Sequence, residues 1–175
     1  MAELNTVAVD LALPEVGNIS GTWIADIREQ QAAWEMYVEL VTRIAVVELR
    51  PDEGLLREAL SSLYTLFAET RRILHEFGPD VAQPKGESDV SFGYLSVMVL
   101  NTVLRPVLAK WHPLLTDYES MRDGQTPPME YEKSWDRYEE LRRVLNEDVR
   151  SYLADFAKLL ADAARVQSVV MDRQA

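Results

Sequence analysis

The chain has 175 residues and a formal net charge of −11, from 29 acidic and 18 basic side chains. That length suits one domain with a core that needs no staples, and the charge argues against a nucleic-acid surface, which requires clustered Lys and Arg. With no cysteine, disulfides and thiolate metal sites are excluded, and a reducing cytoplasm is the expected compartment.

Residues 1–21 read as a leader. Val7, Val9, Leu11 and Leu13 alternate with Ala8, Asp10 and Ala12, which is a strand period, before a break at Pro14 and Gly17. One strand in a helical chain has no partner of its own. The expectation is therefore a non-helical N-terminal arm, loosely held as termini generally are. No basic region followed by an apolar run is visible, so no secretory signal is expected.

A first helix is expected from about Thr22 to Leu49, capped by Ser20 or Thr22. Its stripe is Ile27, Gln31, Trp34, Val38, Val41, Ala45 and Glu48. Arg50-Pro51 ends it, because the residue before proline avoids the helical region. A second helix runs from near Asp52 to Phe77, with Leu56, Leu60, Leu63, Phe67, Thr70, Leu74 and Phe77 on one face. Gly78-Pro79 stops it, and the polar linker 80–89 follows.

The stretch Val90–Leu115, VSFGYLSVMVLNTVLRPVLAKWHPLL, organises the rest. From Phe92 to Leu104 it lacks a polar face, as expected of a helix buried on all sides. The apolar run stops at Arg105, short of the roughly 20 residues that a bilayer requires. Val97, Val99, Leu100, Val103 and Leu104 are therefore expected to be inaccessible. Pro106 and Pro113 should each kink or stop this helix. Arg105, beside the first kink, either reaches the surface along its stem or pairs with Glu35 or Glu39.

Asp123-Gly124 marks a loop, and Thr126-Pro127 resembles a cap followed by a first-turn proline. Tyr131, Trp135, Tyr138, Leu141, Leu145, Val149, Tyr152, Phe156, Leu159 and Ala163 then repeat at steps of three and four. This last helix would be roughly 50 Å long at 1.5 Å per residue. Its end should overhang or bend near Asn146, and Glu130 and Glu132 would favour its N-terminal dipole. The fold expected is all-α: a four-helix antiparallel bundle over 22–175, with a central, proline-kinked third helix and the arm 1–21.

Chemistry is sparse. His75 and His112 are the only histidines, and Arg72 and Ala109 stand three residues before them. The Glu-x-x-His pairs of a di-iron bundle are thus missing, as are a nucleophile elbow and a phosphate loop. No catalytic residue, metal or cofactor is expected, and the chain is not expected to be an enzyme. Arg105, Lys110, Trp111 and His112, clustered around the two prolines, and Trp23 at a helix start, are the candidate ligand or partner contacts. Trp34 and Trp135 fit the stripes and are expected in the core.

WEMYVELVTRIAVVEL, EGLLREALSSLYTLFAETRRIL and LNTVLRPVLAKWHPLL, spanning about Trp34 to Leu115, resemble an uncharacterised all-helical family from actinobacteria and cyanobacteria. Its members are similar to accessory proteins of multi-gene conflict or defence systems. The resemblance implies a context and carries over no site residue. The functional expectation is a protein–protein interaction module, an adaptor or regulatory subunit, with a homodimer through the last helix as one form of self-association. No nucleic acid or membrane partner is expected. The alternatives are a small-ligand sensor, with a pocket where Pro106 or Pro113 spreads the helices, and an enzyme of unknown type.

Overall fold

The computed structural model describes residues 4–43 and 47–170. Two strands open it, β1 (Asn5–Leu13) and β2 (Gly17–Ala25), paired antiparallel with Val7 opposite Trp23 and Leu11 opposite Ile19. The alternation in 7–13 is therefore a strand, and it has a partner in the next nine residues. Val7, Val9, Leu11, Leu13, Ile19, Trp23 and Ala25 are all buried on one face. A lone hairpin is marginal in water, and this one is held by packing β1 against the last helix. The molecule is thus mixed α and β rather than all-α, and the segment expected to be a loose arm is half of a core sheet.

The hairpin takes Thr22–Ala25 from the expected first helix, so α1 spans Ile27–Val41. Asp26 caps it: its carboxylate accepts from the Glu29 amide at 2.9 Å, and Glu29 reaches back to the Asp26 amide. The expected extension to Leu49 ends at Val41, although residues 44–46 lie outside the described residues. The phase of α1 also differs from the expected stripe. Ala32, Ala33, Met36, Tyr37 and Leu40 face the core, whereas Ile27 and Trp34 stand out at 54% and 48% exposure. Trp34 is therefore not a core residue. The helix chooses its small-residue face because α7 packs closely against it.

α2 (Leu56–Phe77) buries Leu56, Leu60, Leu63, Leu66, Thr70 and Ile73. Gly78, at φ 71°, ends it by donating its amide to the Leu74 carbonyl at 3.0 Å, and Pro79 opens a short 3₁₀ turn. The central rod is α3 (Phe92–Val99), a π-helical turn over Leu100–Leu104, and α4 (Arg105–Ser120). Ser91 caps it through the Tyr94 amide at 3.1 Å.

Pro106 does not break this rod. Lacking an amide, it cannot satisfy the carbonyl four residues back, and the chain widens by one residue ahead of it. The Arg105 amide then bonds Leu100, five residues back. The result is one continuous helix, Phe92–Ser120, of 29 residues. It is longer than the apolar run suggested, and long and apolar enough to cross a bilayer, although only half of its most apolar window is covered by the rest of the chain. Val99, Leu100, Val103 and Leu104 are buried as expected, but Val97 is 43% exposed. The rod is covered along one side, with Tyr94, Val97, Asn101 and Arg105 facing out.

The expected long last helix is interrupted. α5 (Pro128–Lys133) is separated by turns from α6 (Tyr138–Arg143), which runs through a π turn at Val144–Val149 into α7 (Arg150–Ala164). Pro128, not Pro127, begins α5. Trp135 is buried as expected. The π turn covers Asn146, whose side chain pairs with the Leu49 backbone, accepting at 2.9 Å and donating at 3.0 Å. The stripe expected to overhang is covered within the chain, since α7 packs on both α1 and β1.

Candidate functional site

α2 and α4 cross antiparallel, and side chains meet along the seam at regular intervals. At one end Arg57 bonds Glu119 at 3.0 Å, Thr116 at 3.1 Å and the His112 Nδ1 at 3.0 Å. A guanidinium can only donate, so Nδ1 is the acceptor in this contact. Next, His112 stacks on Tyr64 with ring centroids 6.1 Å apart. Further along, Arg105 lies over the Phe67 ring at 5.8 Å. Between these pairs is a groove of about 270 Å³, lined by Tyr64, Phe67, Arg105, Leu108, Ala109, His112 and Pro113.

The sequence explains this opening. Phe67 belongs to the apolar stripe of α2 but is only half-buried, and Tyr64, just off the stripe, is 61% exposed. Between Arg105 and His112, which meet them, α4 offers Ala109 and Pro113, side chains too short to fill the seam. Pro113 has no amide, so the Ala109 carbonyl lacks its helical donor. Arg105 is exposed, and among the described residues no carboxylate lies within ion-pair distance of it. Neither Glu35 nor Glu39 meets it: they pair with Arg72 and Arg43. The lining therefore combines a large apolar surface, a stacked Tyr–His pair and one unneutralised positive charge.

A larger hollow of about 610 Å³ lies along the exposed face of α1, lined by Ile27, Trp34 and Phe77 among others. Its charged groups already serve one another. Arg28 bonds the Phe77 carbonyl at 2.7 Å and approaches Asp80, while Glu35 and Glu76 both pair with Arg72. Such a rim has less to offer a ligand than the free Arg105.

Of the residues singled out from sequence, Arg105 and His112 come together in the groove. Lys110 points to the other side of α4, near Glu140 at 3.5 Å and 4.5 Å from the Trp111 ring. Trp111 is buried beneath it, edge-on to Trp135, with Arg137 4.8 Å away. Trp23 has no exposed surface, and its indole N–H donates to Glu29 at 3.1 Å. Both tryptophans are buried within the chain, so neither offers a surface for the ligand or partner contact read from the sequence. Sequence reasoning missed Tyr64 and Phe67. The available signal was an aromatic residue beside the α2 stripe, which a helix does not bury without a neighbour large enough to cover it.

Two buried carboxylates have structural partners. Glu29, with no exposure, accepts from Trp23, from the Phe92 amide at 3.0 Å and from Lys85. Glu132 accepts the Leu56 and Arg57 amides at 2.8 and 3.0 Å, capping α2 rather than its own helix. Burial pushes the Glu132 carboxyl up, against those two amides. Among the described residues, no cluster of three or more potential ligands could hold a metal ion.

Comparisons with family models, with curated proteins and with solved structures returned no match to this chain.

Proposed function

We propose that this chain is a non-enzymatic binding module that recognises another protein through the α2–α4 groove. The observation carrying this reading is the exposed Tyr64 beside half-buried Phe67, across from short side chains. Exposed aromatic anchors beside an apolar recess are what partner surfaces use, and a lone surface aromatic would carry no such meaning. The role proposed is that of an adaptor or regulatory subunit, in the defence-system context that the sequence resemblance implies.

At this groove, volume and openness argue against a small-molecule site. Enclosed ligand sites measure roughly 300–1,000 Å³ and bury most of the ligand, whereas this groove holds about 270 Å³ and lies open along the seam. A side chain presented by a partner suits it better.

The test is a photo-crosslinking amino acid placed at position 64 in the native host, with position 87 as an exposed control. The expected result is a discrete protein adduct at 64 that is missing at 87. Equal, diffuse labelling at both positions would count against the reading. An adduct of twice the chain mass would identify a second copy as the partner.

A further inference from the structure

The groove has a direction and a sign. Arg105 and Pro113 mark its two ends along α4, eight residues apart and so about 12 Å at 1.5 Å per residue. That matches two turns of a third helix laid into the seam, the geometry by which amphipathic helices enter grooves between helices. At the Pro113 end the cation is spent, because Arg57 is fully engaged by Glu119, Thr116 and His112. At the other end Arg105 is the formal charge in the lining, and among the described residues no carboxylate pairs with it.

This local sign opposes that of the whole chain, which is −11. With 29 carboxylates present, one close to Arg105 would be the ordinary outcome, yet the groove lining contains none. At about 0.15 M salt the field of a charge fades within about 8 Å, so a group seated at the Arg105 end responds chiefly to Arg105, while Glu119 at the other end is held by Arg57.

From this geometry we infer that the occupant is an acidic amphipathic helix. It seats apolar side chains at positions i and i+4 over Phe67, Leu108 and Ala109, and its carboxylate one turn further on meets Arg105. The inference rests on the groove being the binding face, and it adds the chemistry of the partner.

The test uses the full chain and three labelled 16-residue helical peptides at 0.15 M salt, followed by fluorescence anisotropy. One peptide carries Leu at i, i+4 and i+7 with Glu flanking, the second replaces Glu with Lys, and the third replaces Leu with Ser. The acidic peptide should bind saturably and the Ser peptide should not. Arg105→Glu should weaken the acidic peptide by about tenfold or more and improve the Lys peptide, since reversing a rim charge reverses the pairing. Tyr64→Ala should weaken both apolar peptides, and melting curves confirm that each variant is folded.

Equal affinity of wild type for the Glu and Lys peptides, or indifference to Arg105→Glu, would overturn the acidic assignment. If Tyr64→Ala still weakened both peptides, the groove itself would stand. If no peptide bound saturably, the inference would fall, while the crosslink at position 64 would judge the groove independently.

Discussion

Glu29 shows how a single charged residue organises its surroundings. It begins as the third residue of a capping box, a local device worth about 1 kcal/mol. Folding then surrounds it with the Trp23 indole, the first amide of the central rod and Lys85. Strand, helix and loop are tied at one buried carboxylate. Burial alone would pull the Lys85 ammonium down, but its bonds to Glu29 and Asp26 outweigh burial and hold it above its ordinary value of 10.5. A cation raised in the folded state adds stability below its unfolded value and loses it as pH rises through the folded one. Unfolding free energy should therefore fall from about pH 10.5 upward, and Lys85→Met should flatten that limb. At neutral pH the same variant should cost about 2 kcal/mol by urea titration. That is below the usual penalty for orphaning a buried charge, because Glu29 keeps its N–H donors and Lys85 is partly exposed.

Gly93 acts through what it lacks. A Cβ there would lie 2.5 Å from the Ala82 Cβ and 3.0 Å from its Cα. The 3₁₀ turn after α2 thus lies directly on the first turn of the rod. Gly93→Ala should destabilise the protein by about 1–3 kcal/mol, the range for overpacking, and a melting temperature unchanged from wild type would contradict this contact. Asn5 closes a different seam. Its amide donates to the Asp162 and Ala163 carbonyls at 2.6 and 3.0 Å, closing the C-terminus of α7 from a strand.

At the scale of elements, the hairpin is the largest departure from expectation. The alternation of β1 was visible, but β2 hid it. In Ile19-Ser20-Gly21-Thr22-Trp23 the middle inward position is glycine, so the apolar period lapses. Ser20 and Thr22 then read as helix caps, although the true cap was Asp26, with its Glu three residues on. Leu11, fully buried where the sheet meets the core, offers the check. Leu11→Ala should cost about 2–5 kcal/mol in denaturant unfolding, the range for emptying a core leucine. An effect below about 0.5 kcal/mol, typical of surface sites, would return the hairpin to a loose arm. The stop at Gly78-Pro79 and the α2 face were legible, because glycine, proline and period act locally, whereas Arg50-Pro51 did not mark the end of α1 and Pro106 did not break the rod. The phase of α1 was not legible. Two faces of α1 carry apolar groups, and close packing by α7 selects the one bearing Ala32, Ala33 and Met36.

Considered as a whole, the molecule separates stability from recognition. Its buried carboxylates, Trp23, Trp111, Trp135 and inner helix faces are matched within the chain, whereas the α2–α4 seam remains open. Tyr64→Ala should therefore change unfolding free energy by less than about 1 kcal/mol, as exposed substitutions generally do, while removing the anchor from the groove. A large loss of stability would make Tyr64 a structural residue and weaken the functional reading. The α7 stripe is taken up by α1 and β1, whereas among the described residues the groove, the outer face of α1 and the outer side of the rod carry exposed apolar groups.

The sequence by itself determined the predominance of helix, the stop at Gly78-Pro79, the inward face of α2 and the presence of an apolar rod, though not that only one side of it is covered, because each follows from chain stereochemistry or from period. Only the tertiary structure decided that residues 5–25 form a sheet, that α1 turns Trp34 outward, and that Arg105 and His112 share a groove with Tyr64 and Phe67. Those outcomes depend on which surfaces segments far apart in the chain present to one another, and on how closely side chains of unequal size allow them to approach.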